Sequence, residues 1–163
     1  MLTVRPATTK DAAVIVELIR GLAEYERAPE QAIVTEQDII RDGFPANGAQ
    51  PKFWCLIADW EGAPAGFALY FFNYSTWLGR WGLYLEDLFV KPELRGKGLG
   101  KALLAELARI AVAKDCYGMR WVVLDWNQPS IDFYESLGAT ILKEWQTVRI
   151  MGEPLQKLAA EEA

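Results

Sequence analysis

The sequence predicts an α/β fold of the α+β kind: one domain, residues 1–163, built on a mixed, mostly antiparallel sheet of about six to seven strands with helices on both faces. Three observations carry this. Hydrophobic residues make up 52% of 163 residues, enough for one sizeable core. The first half reads as helices followed by antiparallel strands. The second half alternates strand, helix, strand, helix, strand.

Leu2 to Arg5 reads as a short strand. Thr8-Thr9-Lys10-Asp11 then opens a helix, with a hydroxyl cap followed three residues on by a carboxylate. Ile15, Leu18, Ile19 and Leu22 recur at helical spacing, and the helix closes in Glu24-Tyr25-Glu26-Arg27, before Pro29. A second helix starts at Thr35, with Asp38 three residues on, and stops near Gly43. Residues 44–51 are a loop rich in Pro, Gly and Asn. Lys52 to Trp60 and Ala65 to Tyr74 form a hairpin about a turn at Glu61-Gly62-Ala63-Pro64. Ser75 to Gly82 is a tryptophan-bearing loop, and Gly82 to Val90 is the next strand. Leu99 to Lys114 is a helix with Leu103, Leu107 and Ile110 on one face. Met119 to Trp126 is a strand, Pro129 to Leu137 a helix ended by Gly138, and Ala139 to Ile150 the last strand. A short acidic helix forms the tail.

Composition excludes several chemistries. The chain has no histidine, so neither a Ser-His or Cys-His pair nor a His-ligated metal site exists. Acid–base work falls to Tyr, Glu, Asp, Lys or Cys. The two cysteines, Cys55 and Cys116, match no metal spacing, read as buried free thiols and fit a reducing compartment. No metal is expected. A net charge of −5 gives no general attraction to nucleic acid and favours a cationic small molecule. No apolar run approaches the length of a membrane span, and the N-terminus reads as a strand rather than a signal peptide. A cytoplasmic protein without membrane or nucleic-acid partners is expected.

The most specific local signal is Arg95-Gly96-Lys97-Gly98-Leu99-Gly100-Lys101, between a strand end and a helix start. Glycines let backbone amides approach a ligand, and a helix start adds unpaired N–H groups and a positive dipole end. Together they suit a pyrophosphate. A P-loop fails, because Ala102 replaces the hydroxyl and Arg95 stands where its first glycine belongs. A dinucleotide-binding G-x-G-x-x-G loop fails at Lys101.

Arg95, Gly98 and Gly100 form an Arg-x-x-Gly-x-Gly pattern that closely resembles the pyrophosphate arm of the GNAT N-acetyltransferases. Asn127-Gln128-Pro129-Ser130-Ile131-Asp132-Phe133-Tyr134 to Ala139 resembles that superfamily's second motif. RPAT, LAEYE, VTEQD, GFALYFFNYSTWLG and YLEDLFV extend the likeness over about Val4 to Leu158, toward the diamine acetyltransferases that act on spermidine, spermine and thialysine.

The resemblance implies an acetyl-CoA-dependent enzyme in which a neutral amine attacks the thioester directly. Alkyl ammonium groups ionise near about 10.4, so a proton must leave first. Tyr134 falls on the family's proton donor; read without the motif it is a core tyrosine. Glu86 falls on a substrate contact, holding the ammonium or relaying its proton through water, with Asp87 the competing choice. Alternation places Tyr84, Glu86 and Leu88 on one face and Asp87 on the other. Leu88, Phe89 and Val90 match the strand that binds the pantetheine arm, and Gly96 to Lys101 the pyrophosphate loop. Asn127, Pro129 and Ser130 match residues along the pantetheine, although Asn127 equally reads as a helix cap. Tyr25 and Glu26, and Arg120, Trp121 and Val122, match stretches that line the amine site; Glu144 and Trp145 align more loosely. Arg120 suits a substrate that also carries a carboxylate, such as a lysine-like amino acid. The family also implies a homodimer, for which tryptophans in Ser75 to Gly82 offer a surface. Competing readings are a non-catalytic acyl-CoA sensor, a protein or peptide acetyltransferase, and a ping-pong enzyme using Cys55 or Cys116.

Overall fold

The computed structural model describes residues 1–161. A first compact unit spans Met1–Val122, and a second begins at Val123.

The first unit contains a five-stranded sheet in the order β1-β2-β3-β4-β5. Its strands are β1 (Leu2–Pro6), β2 (Trp54–Trp60), β3 (Ala63–Ser75), β4 (Arg80–Val90) and β5 (Met119–Arg120). The first four pair antiparallel, and β5 runs parallel to β4. Helix α1 (Ala12–Tyr25) follows a capping box in which the Thr8 amide donates to Asp11 Oδ2 at 2.7 Å. Helix α2 (Glu36–Gly43) starts the same way: the Asp38 amide donates to Thr35 Oγ1 at 3.2 Å and the Thr35 amide to Asp38 Oδ2 at 3.0 Å. The β2–β3 hairpin turns on Glu61 and Gly62, both at positive φ (52° and 83°), as a two-residue turn matched to strand twist requires. The turn is therefore shorter than Glu61 to Pro64, and Ala63 and Pro64 already belong to β3.

One sheet face carries Cys55, Ile57, Phe67, Leu69 and Phe89, which pack against Ile15, Val16 and Leu18 of α1 and Ile39 of α2. The opposite face carries Leu56, Ala58, Ala68, Leu83 and Leu85. It receives α3 (Leu99–Ala113), which buries Leu99, Leu103, Leu104 and Leu107. Burial of a Leu or Phe of this kind contributes roughly 2–3 kcal/mol each before entropy is counted. Helices on both faces of a mixed, mostly antiparallel sheet are as expected; the strand count is not.

Met119 to Trp126 forms a strand only over Met119–Arg120, and no strand exists between Ala139 and Ile150. A strand needs a neighbour to complete its hydrogen bonds, and β5 offers two residues of ladder. Val122 (66% exposed) and Val148 (92% exposed) accordingly stand in solvent, and alternation alone does not pair them. In the second unit α4 (Gln128–Ser136) and α5 (Gly152–Ala159) are the helices. Helix α5 pairs Lys157 with Glu153 at 2.9 Å and is balanced rather than acidic. No helix among the described residues is long and apolar enough to cross a membrane.

Candidate active site

Strand β4 is irregular at the residues that matter. Asp87 lies opposite Leu69 and Leu85 opposite Tyr70, so Glu86 is an extra residue, a bulge with no partner on β3. The bulge breaks the expected alternation. Tyr84 faces Phe71, stacking on it at 5.0 Å between ring centroids, while Leu88 pairs with Ala68 on the opposite face. Asp87 therefore shares the α1 face with Tyr84, and Leu88 does not.

Asp87 is half-buried and lines a pocket of about 530 Å³ walled by Ile19, Ile39, Phe53 and Leu69. Neither the Asp87 nor the Glu86 side chain makes a hydrogen bond or ion pair with a described residue. Burial, followed by the charges of Glu86 and Glu26, pushes the Asp87 carboxyl up to about 7. Glu26 caps the end of α1, and desolvation raises its carboxyl as well. The charges of Glu86 and Glu26 thus both act on the Asp87 carboxyl, which takes a proton easily. A larger hollow of about 980 Å³ lies between α1, the start of α2 and residues 89–93. It holds none of the three carboxylates, and its Lys91 and Glu17 bridge each other at 2.9 Å.

Past Tyr84, the β5 side of β4 has no strand partner among the described residues. Backbone groups from Glu86 through Leu88, Phe89 and Val90 form an open edge, a surface on which an amide-bearing ligand arm can add as a strand does. After Val90 the chain makes a short turn (Pro92–Leu94) and enters the glycine loop. Gly96 and Gly98 adopt φ of 77° and 87° with no atom within 4 Å of where a Cβ would sit. Glycine is required there for conformation, and the space above stays free. Gly98 precedes α3 with no side-chain cap, so the first amides of the helix, at Leu99, Gly100 and Lys101, lack side-chain acceptors. The Lys97 ammonium lies 5.1 Å above the Trp60 ring. These features fit an anionic pyrophosphate followed by an amide-containing arm.

Arg95 reaches away from the loop: its Nε donates to the Val90 carbonyl at 3.1 Å, and its guanidinium stacks 4.4 Å over Tyr25 and 5.5 Å from Phe89. The structure thus brings Tyr25 to Arg95, at the start of the glycine loop. Arg120 lies beside Tyr84 in the ladder and is exposed; Trp121 and Val122 follow it.

In the second unit, Asn127 is buried (6% exposed) and its backbone carbonyl accepts from Ser130 and Ile131 at 3.1 and 3.0 Å. Its side chain makes no capping bond, which removes the cap as its explanation. Pro129 occupies the first turn of α4, and Tyr134 is buried beside Phe133, with ring centroids 5.5 Å apart. Glu144 and Trp145 stand exposed in the irregular segment. Burial raises both thiols, Cys55 far more than Cys116, which disfavours either as a nucleophile. Among the described residues, no group of three or more His, Cys, Asp or Glu is arranged to hold a metal.

Comparison with known proteins shows the family. Residues 15–139 match the model of the Acetyltransferase (GNAT) family. The chain belongs to the GNAT family. This GNAT chain is 41% identical to the thialysine N-epsilon-acetyltransferase of Bos taurus, over 97% of both chains. It is 37% identical to the spermidine/spermine N(1)-acetyltransferase-like protein 1 of Homo sapiens, over 98% of this chain and 24% of that one. A solved integron cassette protein from the mobile metagenome of V. cholerae superposes with a TM-score of 0.79 at 26% identity, over 98% of each chain. The chain is an N-acetyltransferase, and acetyl-CoA is the co-substrate of its family.

The resemblance pointed to Glu86 and the loop. What it missed is the bulge, the pocket behind Asp87 and the stacking of Arg95 on Tyr25. The one sign of the bulge is the Glu86-Asp87 doublet: strict alternation forces one of two adjacent acids into an apolar face.

Proposed function

We propose that this GNAT enzyme transfers an acetyl group directly to the primary amine of a small cationic substrate, a diamine or polyamine or a thialysine-like amino acid. The observation that carries this is Asp87: an unpaired carboxyl in an apolar pocket, with Glu86 and Glu26 beside it. Such a group lacks a cation, and an ammonium supplies one. Names of the relatives, which act on thialysine and spermidine or spermine, support the same class.

Acetyl-CoA supplies an activated acetyl carbonyl when bound. Gly96 to Lys101 would hold its pyrophosphate, and the open edge at Leu88, Phe89 and Val90 its arm, with Asn127, Pro129 and Ser130 also along it; Arg95, expected at the pyrophosphate, instead braces the base of the loop through the Val90 carbonyl and Tyr25. Glu26 and Tyr25 receive the amine. Asp87, or Glu86 through water, accepts the proton that the ammonium must lose before its nitrogen can attack. Nitrogen then bonds to the acetyl carbon, the carbon–sulfur bond breaks, and Tyr134 donates a proton to the departing thiolate. Trp121 and Val122 line the amine site. Tyr134→Phe is expected to lower turnover about 100-fold with little change in acetyl-CoA affinity, checked by steady-state rates beside calorimetric titration. Unchanged turnover removes Tyr134 from the donor role.

The reading takes residues 1–163 as a single N-acetyltransferase domain in a cytoplasmic homodimer. The exposed aromatics Trp77 and Trp81 supply its apolar surface. The deciding experiment is thiol release from acetyl-CoA with spermidine, putrescine, thialysine, lysine and a basic peptide. Preference for a small amine supports the reading. Preference for the peptide, or tight acetyl-CoA binding without turnover on any of them, overturns it.

A further inference from the structure

Glycine is costly inside a helix, so a glycine there needs a reason. Gly43 closes α2, and its φ lies outside the left-handed region, so the backbone does not require it. The reason is space. A Cβ on Gly43 would lie 2.6 and 2.7 Å from two carbons of the Phe53 ring, well inside van der Waals contact. The ring is not free to drift away. The residues just before the two are clasped: the Lys52 amide donates to the Asp42 carbonyl at 2.8 Å, and the Lys52 ammonium meets Asp42 Oδ1 at 2.7 Å. Residues 44–51 leave and return through this clasp. The end of α2 and the approach to β2 therefore hold one another at a fixed spacing, with the ring seated on the glycine.

The same ring walls the pocket that Asp87 lines. Cys55, Leu69 and Asp87 form a row across β2, β3 and β4, and Phe53 lies two residues before Cys55, on the same face by alternation. Ile19, Ile39 and Leu69 add further apolar wall. Asp38 lines the pocket too, but its carboxylate is already held by the Thr35 amide and hydroxyl and by Arg41. An entering ammonium thus meets one uncommitted carboxylate, at Asp87, and the carbon chain behind it meets apolar wall. We propose that Phe53, backed by Gly43, limits the bulk of the acceptor: with the amine at Asp87, the body of the substrate lies against this ring, which favours slender chains over bulky ones. This inference rests on the small-amine reading above, with Asp87 as its acid, and adds the residue that chooses among such amines by shape.

The test reads, within each protein, the ratio of kcat/KM for a straight-chain acceptor to that for an aryl analogue with the same end groups. The pairs are cadaverine against para-xylylenediamine, and lysine against para-aminomethylphenylalanine. A ratio taken within one protein is insensitive to the fraction folded. The wild type is expected to prefer the straight chain by at least about tenfold. Phe53→Ala should lower that ratio by at least about fivefold, by admitting the aryl body. Gly43→Ala drives the ring toward the pocket and should raise KM for the straight chain severalfold, with acetyl-CoA affinity unchanged by calorimetry. Phe53→Leu in the same chain makes room for the new methyl group and should restore that KM. A wild type that takes the aryl analogue equally well overturns the proposal. So do Phe53→Ala with the wild-type ratio and Gly43→Ala with the wild-type KM. Should either alanine variant not fold, Phe53→Leu alone, a smaller loss of volume, is expected to lower the ratio in the same direction and decides. Transfer to none of these acceptors, with acetyl-CoA still bound, is a different result: it overturns the amine reading itself.

Discussion

Asp87 is held in a condition that a carboxyl resists: half-buried, unpaired and flanked by two other acids. Its ionisation near 7 instead of 3.8 means that the folded protein binds this proton more tightly than the unfolded chain does. Stability from this group is thus full below about pH 4 and is lost as pH rises through about 7. Asp87→Asn should therefore melt at a higher temperature than wild type at pH 8, by on the order of 1–2 kcal/mol after allowing for solvent screening. The difference should vanish near pH 4. In activity the sign reverses. The ionised form accepts the proton, so kcat/KM should rise with pH through the Asp87 transition, and Asp87→Asn should lower it by at least about tenfold. Thermal melts at two pH values and a pH–rate profile check both. A variant that is neither stabilised at pH 8 nor slowed removes Asp87 from the site.

Local elements divide by what their signals depend on. The two capping boxes at Thr8 and Thr35 were legible because the bond that starts each helix lies within four consecutive residues. Strands β1 to β4 were legible from alternation bounded by turn residues. The bulge at Glu86 was not, since it is a property of pairing with β3 rather than of β4 alone. The missing strand in residues 139–150 fails for the same reason: its apolar residues are present and a partner ladder is not. Site residues followed this divide. The glycine loop was readable, whereas the contact of Arg95 with Tyr25, distant in sequence, was not. The loop itself is testable at element scale. Gly98 sits at φ 87° with free space above, so Gly98→Ala adds no clash and only the cost of a left-handed backbone, about 1–2 kcal/mol. A several-fold weaker affinity for acetyl-CoA is expected by calorimetry, with a small loss in melting temperature.

At the scale of the molecule, one ion network ties the start of the chain to the sheet. Arg5 on β1 donates to Asp59 on β2 at 2.7 Å and to both oxygens of Asp11 ahead of α1, at 3.0 and 2.9 Å. Arg5 holds the Asp11 carboxyl down at about 2. That contribution is complete above the ordinary carboxylate range and is lost as pH falls through about 2. Arg5→Ala leaves two largely buried carboxylates without their cation. It should cost about 1–3 kcal/mol at neutral pH, read as a lower midpoint in urea. It should also flatten the loss of stability in acid.

The open side of β4 has a further consequence, for how the protein behaves in a crowd. From Glu86 to Phe89 the β5 side of the strand has no strand partner among the described residues, while the Val90 carbonyl is taken by Arg95. An edge of this kind accepts any extended chain, including another copy of itself. A ligand arm that lies along it acts as a sheath, and the acids at one end and Lys91 at the other are charged guards against misassembly. Left bare, the same edge is expected to template self-association, so light scattering should rise sooner without acetyl-CoA than with it.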